Sequence, residues 1–183
     1  NASAASDDSP FEWMFGVNYV VADHDATGTT LTNCGTESPP TQNCADFAMR
    51  NDLGATVIEG DCAPDQFNAD SYGLYYVTGN CVISGVTVGS ARAPAIIVVF
   101  GNATLKNSTL FGMLFIHSNN IAVENASTGF RFDMQGATVF GALVVEGRTT
   151  LTGNSILVYD DTSQNVDPYK LPAKARFARV PGS

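Results

Sequence analysis

From about residue 71 the chain alternates short apolar runs with small and polar punctuation. Tyr75-Tyr76-Val77-Thr78-Gly79-Asn80 is followed by Ala95-Ile96-Ile97-Val98-Val99-Phe100-Gly101-Asn102. Each leads into a second small run, Cys81-Val82-Ile83-Ser84-Gly85 and Ala103-Thr104-Leu105-Lys106-Asn107, so the pattern recurs at an offset of 22. The decapeptide Thr138–Gly147 echoes Thr109–Ser118 at an offset of 29, and Gly147 lies 46 residues after Gly101, close to two steps of 23. Strands of three to six residues with Gly or Asn at each bend predict the coils of a β-solenoid. Parallel strands of successive coils bury their inward side chains against one another, while Gly and Asn tolerate the left-handed backbone of the corners. A β-sandwich also uses short strands, but it favours clean in/out alternation. Ile96–Phe100 and Leu143–Val145 are continuously apolar, as parallel strands buried on both faces tend to be.

Two other elements are expected. Phe11, Trp13, Phe15, Val17, Tyr19 and Val21 alternate with more polar positions and predict a half-buried strand. Ala45–Leu53, ending before Gly54, predicts a short helix with that glycine at its C-terminal cap. The fold class is therefore mainly β, a parallel β-solenoid in one domain spanning 1–183. Residues 1–9 form a leader, 119–137 an inserted loop that breaks the repeat, and 160–183 a C-terminal tail.

Composition sharpens this picture. With 183 residues, 44% of them hydrophobic and only 15% charged, the chain can build a core and is not a disordered tail. No apolar run approaches the length of a membrane span, so the sequence is expected to be a soluble region. The net charge of −9 argues against nucleic acid as a partner. Residues 1–70 carry twelve acidic groups against Arg50 alone. Residues 170–183 carry Lys170, Lys174, Arg176 and Arg179 with no acid, which makes them a candidate partner-binding segment or one that folds back on the acidic half.

Cys34, Cys44, Cys62 and Cys81 lack the close spacing of a zinc site and read as two disulfides formed in an oxidising compartment. Three pairings exist; Cys34–Cys44 and Cys62–Cys81 close the shortest loops and are favoured over the others. Asp23, Asp25 and Thr27, with Gly28 behind them, fit the opening of a calcium loop. The twelfth position is Cys34 rather than Glu, so an ordinary acidic turn is preferred and no metal or other cofactor is expected.

Catalytic chemistry is sparse. His24 sits in an acidic turn and His117 ends an apolar run; with no Gly-x-Ser-x-Gly elbow, neither is read as catalytic. Many β-solenoids cleave polysaccharides with acids converging on one face. Here the repeats hold only Glu124, Asp133 and Glu146, which share no repeat position, and no enzyme is expected. A carbohydrate-active or carbohydrate-binding β-helix is the alternative, and it requires Glu124, Asp133, Glu146 and Arg148 to meet in one groove. A self-polymerising cytoskeletal solenoid of the bactofilin kind is a third reading, against which paired disulfides count.

Ser9-Pro10-Phe11-Glu12-Trp13, Val77-Thr78-Gly79-Asn80, Val99-Phe100-Gly101-Asn102 and Gly141–Gly147 together resemble the PilX-type minor pilins of bacterial type IV pili. Thr152–Asp160 resembles that family's last coil, and Ala178–Ser183 the start of its C-terminal signature. The similarity covers most of residues 9–183. It implies a subunit without catalytic residues, held in the inner membrane and then in the pilus by an N-terminal helix absent from this sequence. It further implies contacts with other minor pilins and a PilY-type tip adhesin, on the periplasmic face or the extracellular pilus.

Overall fold

A computed structural model describes residues 10–15, 48–117 and 130–159. The described chain is mainly β, and every paired strand is parallel to its neighbour. A helix α1 (Pro10–Phe15) and a π-wound turn (Ala48–Asp52) precede β1 (Thr56–Ile58) and a 3-10 turn (Pro64–Gln66). There follow β2 (Gly73–Val77), β3 (Cys81–Ser84), β4 (Thr87–Val88), β5 (Ala95–Val99), β6 (Ala103–Lys106) and β7 (Thr109–Ile116). Beyond residue 129 come β8 (Arg131–Gln135), β9 (Thr138–Val145), β10 (Arg148–Thr152) and β11 (Ile156–Val158). One sheet runs β1-β2-β5-β7-β9-β11 with β4 joined to β7, and the other runs β3-β6-β8-β10.

The register shows how the repeat is built. Gly73 lies against Ala95, Cys81 against Ala103 and Thr87 against Thr109, all at the offset of 22 read from the sequence. Later passes are unequal. Ala95 pairs with Gly112 after only 17 residues, and Thr109 with Thr138 after 29. The offset of 46 from Gly101 to Gly147 is therefore two steps of 29 and 17, not two of 23. A pass gains or loses residues at its bends because stacking constrains only the strands.

Each pass bends at fixed positions. Gly85, Asn107, Gly136 and Gly153 occupy one stacked corner, all with φ between 48 and 71°. Asn107 is the one non-glycine residue with positive φ among the described residues, and Asn is the side chain that best tolerates this region. At another corner Gly112 carries φ 128°, and a β-carbon there would collide with the Ala95 carbonyl. This bend lets the eight residues of β7 serve two passes: Thr109 and Leu110 pair with β4, and Gly112–Ile116 with β5.

Two apolar layers result. Inward side chains stack in columns such as Ile83–Leu105–Met134 and Val88–Leu110–Val139, all buried. A second layer lies on the outer face of the first sheet, where Tyr76, Ile96, Val98 and Phe115 are covered by Phe11, Met14, Phe15, Met49 and Leu53. Hence all five residues of β5 are buried, as its unbroken apolar run predicted. Leu143–Val145, predicted alike, is only half-buried.

Three expectations change. The half-buried strand starting at Phe11 is instead helical over Pro10–Phe15; residues 16–21 lie outside the described part. Phe11, Met14 and Phe15 also fit the i, i+3, i+4 spacing of one helix face, and that face is the one buried. Of the helix predicted at 45–53, the described residues show the π-wound turn Ala48–Asp52, and residues 45–47 lie outside the described part. The turn is closed by Gly54 (φ 64°) and a bond from the Ala55 amide to the Met49 carbonyl, one residue wider than an α-type cap. The loop expected over 119–137 gives way at its end to strand β8, which pairs with β6 and β10. Phe132 and Met134 pay for that pairing by entering the inner columns. Residues 118–129, the leader 1–9 and the tail 160–183 lie outside the described residues. Among the described residues no helix is long and apolar enough to cross a membrane.

Candidate functional site

Three groupings of polar side chains among the described residues bear on function. At the first, His117 follows β7 and Glu146 follows β9. Because Ile116 and Val145 are register partners, the two side chains come together at one bend. His117 Nδ1 lies 2.5 Å from Glu146 Oε2, with side-chain exposures of 0% and 10%. Backbone bonds hold both: the His117 amide donates to Val99 O and the Glu146 amide to Ile116 O, each at 2.9 Å. The rings of Phe11, Phe100 and Phe115 pack around the imidazole, with centroids at 4.9, 4.4 and 6.1 Å. A general base must reach its substrate's proton, and this imidazole is enclosed by aromatic rings. What the geometry can do is tie two passes together inside the outer apolar layer.

The second is a ladder of side-chain amides along one corner. Asn80 donates its backbone amide (2.7 Å) and its side-chain amide (3.2 Å) to Asp61 Oδ1. Asn102 makes the same two bonds, at 3.0 and 3.2 Å, to Asn80 Oδ1. The ladder ends where the Arg131 amide donates to Asn102 Oδ1 at 2.8 Å. Gly79-Asn80 and Gly101-Asn102 are thus successive uses of one device that starts from Asp61: the glycine lets the turns lie close, and the side chain of Asp61, Asn80 or Asn102 satisfies the backbone of the following pass. A carboxylate suits the first rung, which only accepts.

The third is the outward face of β8 and β10. Asp133 accepts from Arg131 Nε at 2.9 Å, and Arg148 stands beside Arg131 in register. Asp133 therefore faces outward while the Glu146 carboxylate is turned in towards His117. The two do not meet in a groove, and Glu124 lies outside the described residues. No group of three or more metal-ligating side chains occurs among the described residues.

Of the sulfur pairs, Cys62–Cys81 is formed, with Cα atoms 4.6 Å apart across neighbouring passes, and both cysteines are buried. Cys34 and Cys44 lie outside the described residues, as do His24, Asp23, Asp25, Thr27, Lys170, Lys174, Arg176 and Arg179. The sequence reading treated His117 and Glu146 separately. The signal that joins them was present, since the echo at offset 29 sets residue 117 against residue 146.

In comparisons with protein-family models, with curated proteins and with solved structures, nothing matches this chain.

Proposed function

We propose that the stacked passes are coils of one β-solenoid and that the protein is a non-enzymatic structural subunit, a minor pilin of the PilX type. The observation that carries this reading is how the polar side chains are used. The Asn ladder and the enclosed His117–Glu146 pair are engaged in holding passes to one another, and Asp133 is engaged by Arg131 of its own strand. A scaffold that works by shape and edge needs nothing more. The motifs from Ser9 to Ser183 that resemble minor pilins supply the family. An N-terminal helix preceding Asn1 anchors the subunit, and its partners are other minor pilins and a PilY-type tip adhesin at the periplasmic face and the pilus tip.

The carbohydrate-active alternative is weakened by the opposite settings of Asp133 and Glu146. The direct test of the pilin reading is deletion of the encoding gene in its own bacterium, with surface pili counted by electron microscopy. Few or no pili, restored by the wild-type gene, is the expected result. An undiminished number of pili would discard the reading.

A further inference from the structure

The two ends of the stack are finished differently. At the first end Phe67 is buried beneath Tyr75, with ring centroids 5.5 Å apart, and Cys62 is bonded to Cys81. At the last end the inner columns stop with no lid among the described residues. Leu151 sits in register above Met134, continuing the column Ile83–Leu105–Met134, yet it is 59% exposed where Met134 is 1% exposed. Leu157 sits above Val139 in the column Val88–Leu110–Val139 and is 53% exposed. Both side chains face the interior of the stack, because alternation along a strand gives them the direction of the buried residues beneath. The backbone repeats the message. Arg148 and Ile156 donate their amides down to Phe130 and Ala137 of the pass below. Alternation along a parallel strand puts the amides of Thr149, Leu151 and Leu157 on the opposite edge, where no strand lies among the described residues.

We infer that residues 160–183 of the same chain cover this end as a terminal cap. The segment starts directly after Tyr159, at the rim of the open pass, so it is delivered there at high effective concentration. It is long enough, with 24 residues against the 17, 18 and 22 that uninterrupted passes take. It carries Val166, Tyr169, Leu171, Phe177 and Val180 to set against Leu151 and Leu157. A stacked architecture needs such a cap at each end to stay soluble, and an uncovered parallel edge recruits other strands. A second copy stacked head to tail finds no complement, because the first end is already plugged. Capping also carries Lys170, Lys174, Arg176 and Arg179 to the last end of the stack, away from the plugged end rich in acidic groups.

The inference stands whether or not the protein is a pilin, and its test involves no pilus. In the unaltered full chain, nuclear Overhauser contacts from the methyl groups of Leu151 and Leu157 to side chains of 160–183 are expected, in a monomer by sedimentation. The Leu171→Asp/Phe177→Asp chain should exchange the Thr149, Leu151 and Leu157 amides about 100-fold faster, with the Leu105 amide unchanged. Methyl groups without contacts to 160–183 overturn the inference. So does a dimer of the full chain that L151D dissociates, which would assign the end to a second copy.

Discussion

His117 and Glu146 are 29 residues apart in sequence and share a contact of 2.5 Å inside the apolar layer beneath α1. Neither is placed by its own neighbours. Each follows the last residue of a strand, and the pairing of β7 with β9 delivers them to the same bend. Truncating either should leave a buried polar group without this partner, at a cost of about 1–3 kcal/mol. Urea unfolding of Glu146→Ala, His117→Ala and the double variant should show a double loss well below the sum of the singles. Additive losses would refute the coupling.

The Asn ladder gives a second test. Asn80→Ala removes its acceptor oxygen from Asn102 and one donor from Asp61, so a loss of about 1–3 kcal/mol is expected. Asn154, exposed on the last pass, serves as control, and Asn154→Ala should stay within about 0.5 kcal/mol. Equal effects at the two positions would remove the ladder's special standing.

Two glycines should respond in opposite ways. Gly85 shares its corner with Asn107 and has nothing within contact distance of an added β-carbon, so Gly85→Asn should unfold within about 1 kcal/mol of wild type. Gly112→Ala must be accommodated against the Ala95 carbonyl and should cost about 3 kcal/mol or more. Thermal melts of the two variants side by side would show the difference.

Reduction of Cys62–Cys81 should also be costly. The bridge closes a segment with a sequence separation of 19, for which chain entropy alone gives about 3 kcal/mol. A Cys62→Ala/Cys81→Ala chain should therefore melt lower than wild type under oxidising conditions, and adding reductant should lower it little further through this pair.

Glu59 supplies a pH dependence. Its hydrogen bond from Arg50 holds the carboxyl below its ordinary value of 4.5, with the Arg50 charge and the Thr78 hydroxyl acting in the same direction and desolvation opposing. A depressed folded-state value means the stabilisation is complete above the ordinary pKa and is lost as pH falls below it. The effect is small, because the group is exposed. Glu59→Gln should melt slightly below wild type at pH 7 and together with it near pH 2; a gap that persists in acid would exclude this linkage.

Legibility followed how local the cause was. The offsets of 22 and 29 could be read directly, because stacked strands repeat their apolar inward residues and their corner glycines in the chain itself. The unequal steps of 29 and 17 were hidden in their total, since strand stacking places no constraint on the length of a bend. At Phe11–Phe15 two periodicities coexist in five residues, and only the presence of a sheet face to cover made the helical one prevail.

By itself, then, the order of residues determined a mainly β chain of parallel strands, the positions of its corners and the pairing of Cys62 with Cys81. These depend on backbone preferences and on contacts that recur at fixed spacing. The tertiary structure alone decided that the His117 and Glu146 side chains turn inward beneath α1, that Asp61 begins the ladder, and that Leu151 and Leu157 end columns which nothing among the described residues closes. Those facts arise from which pass lies above which, and no local preference carries that information.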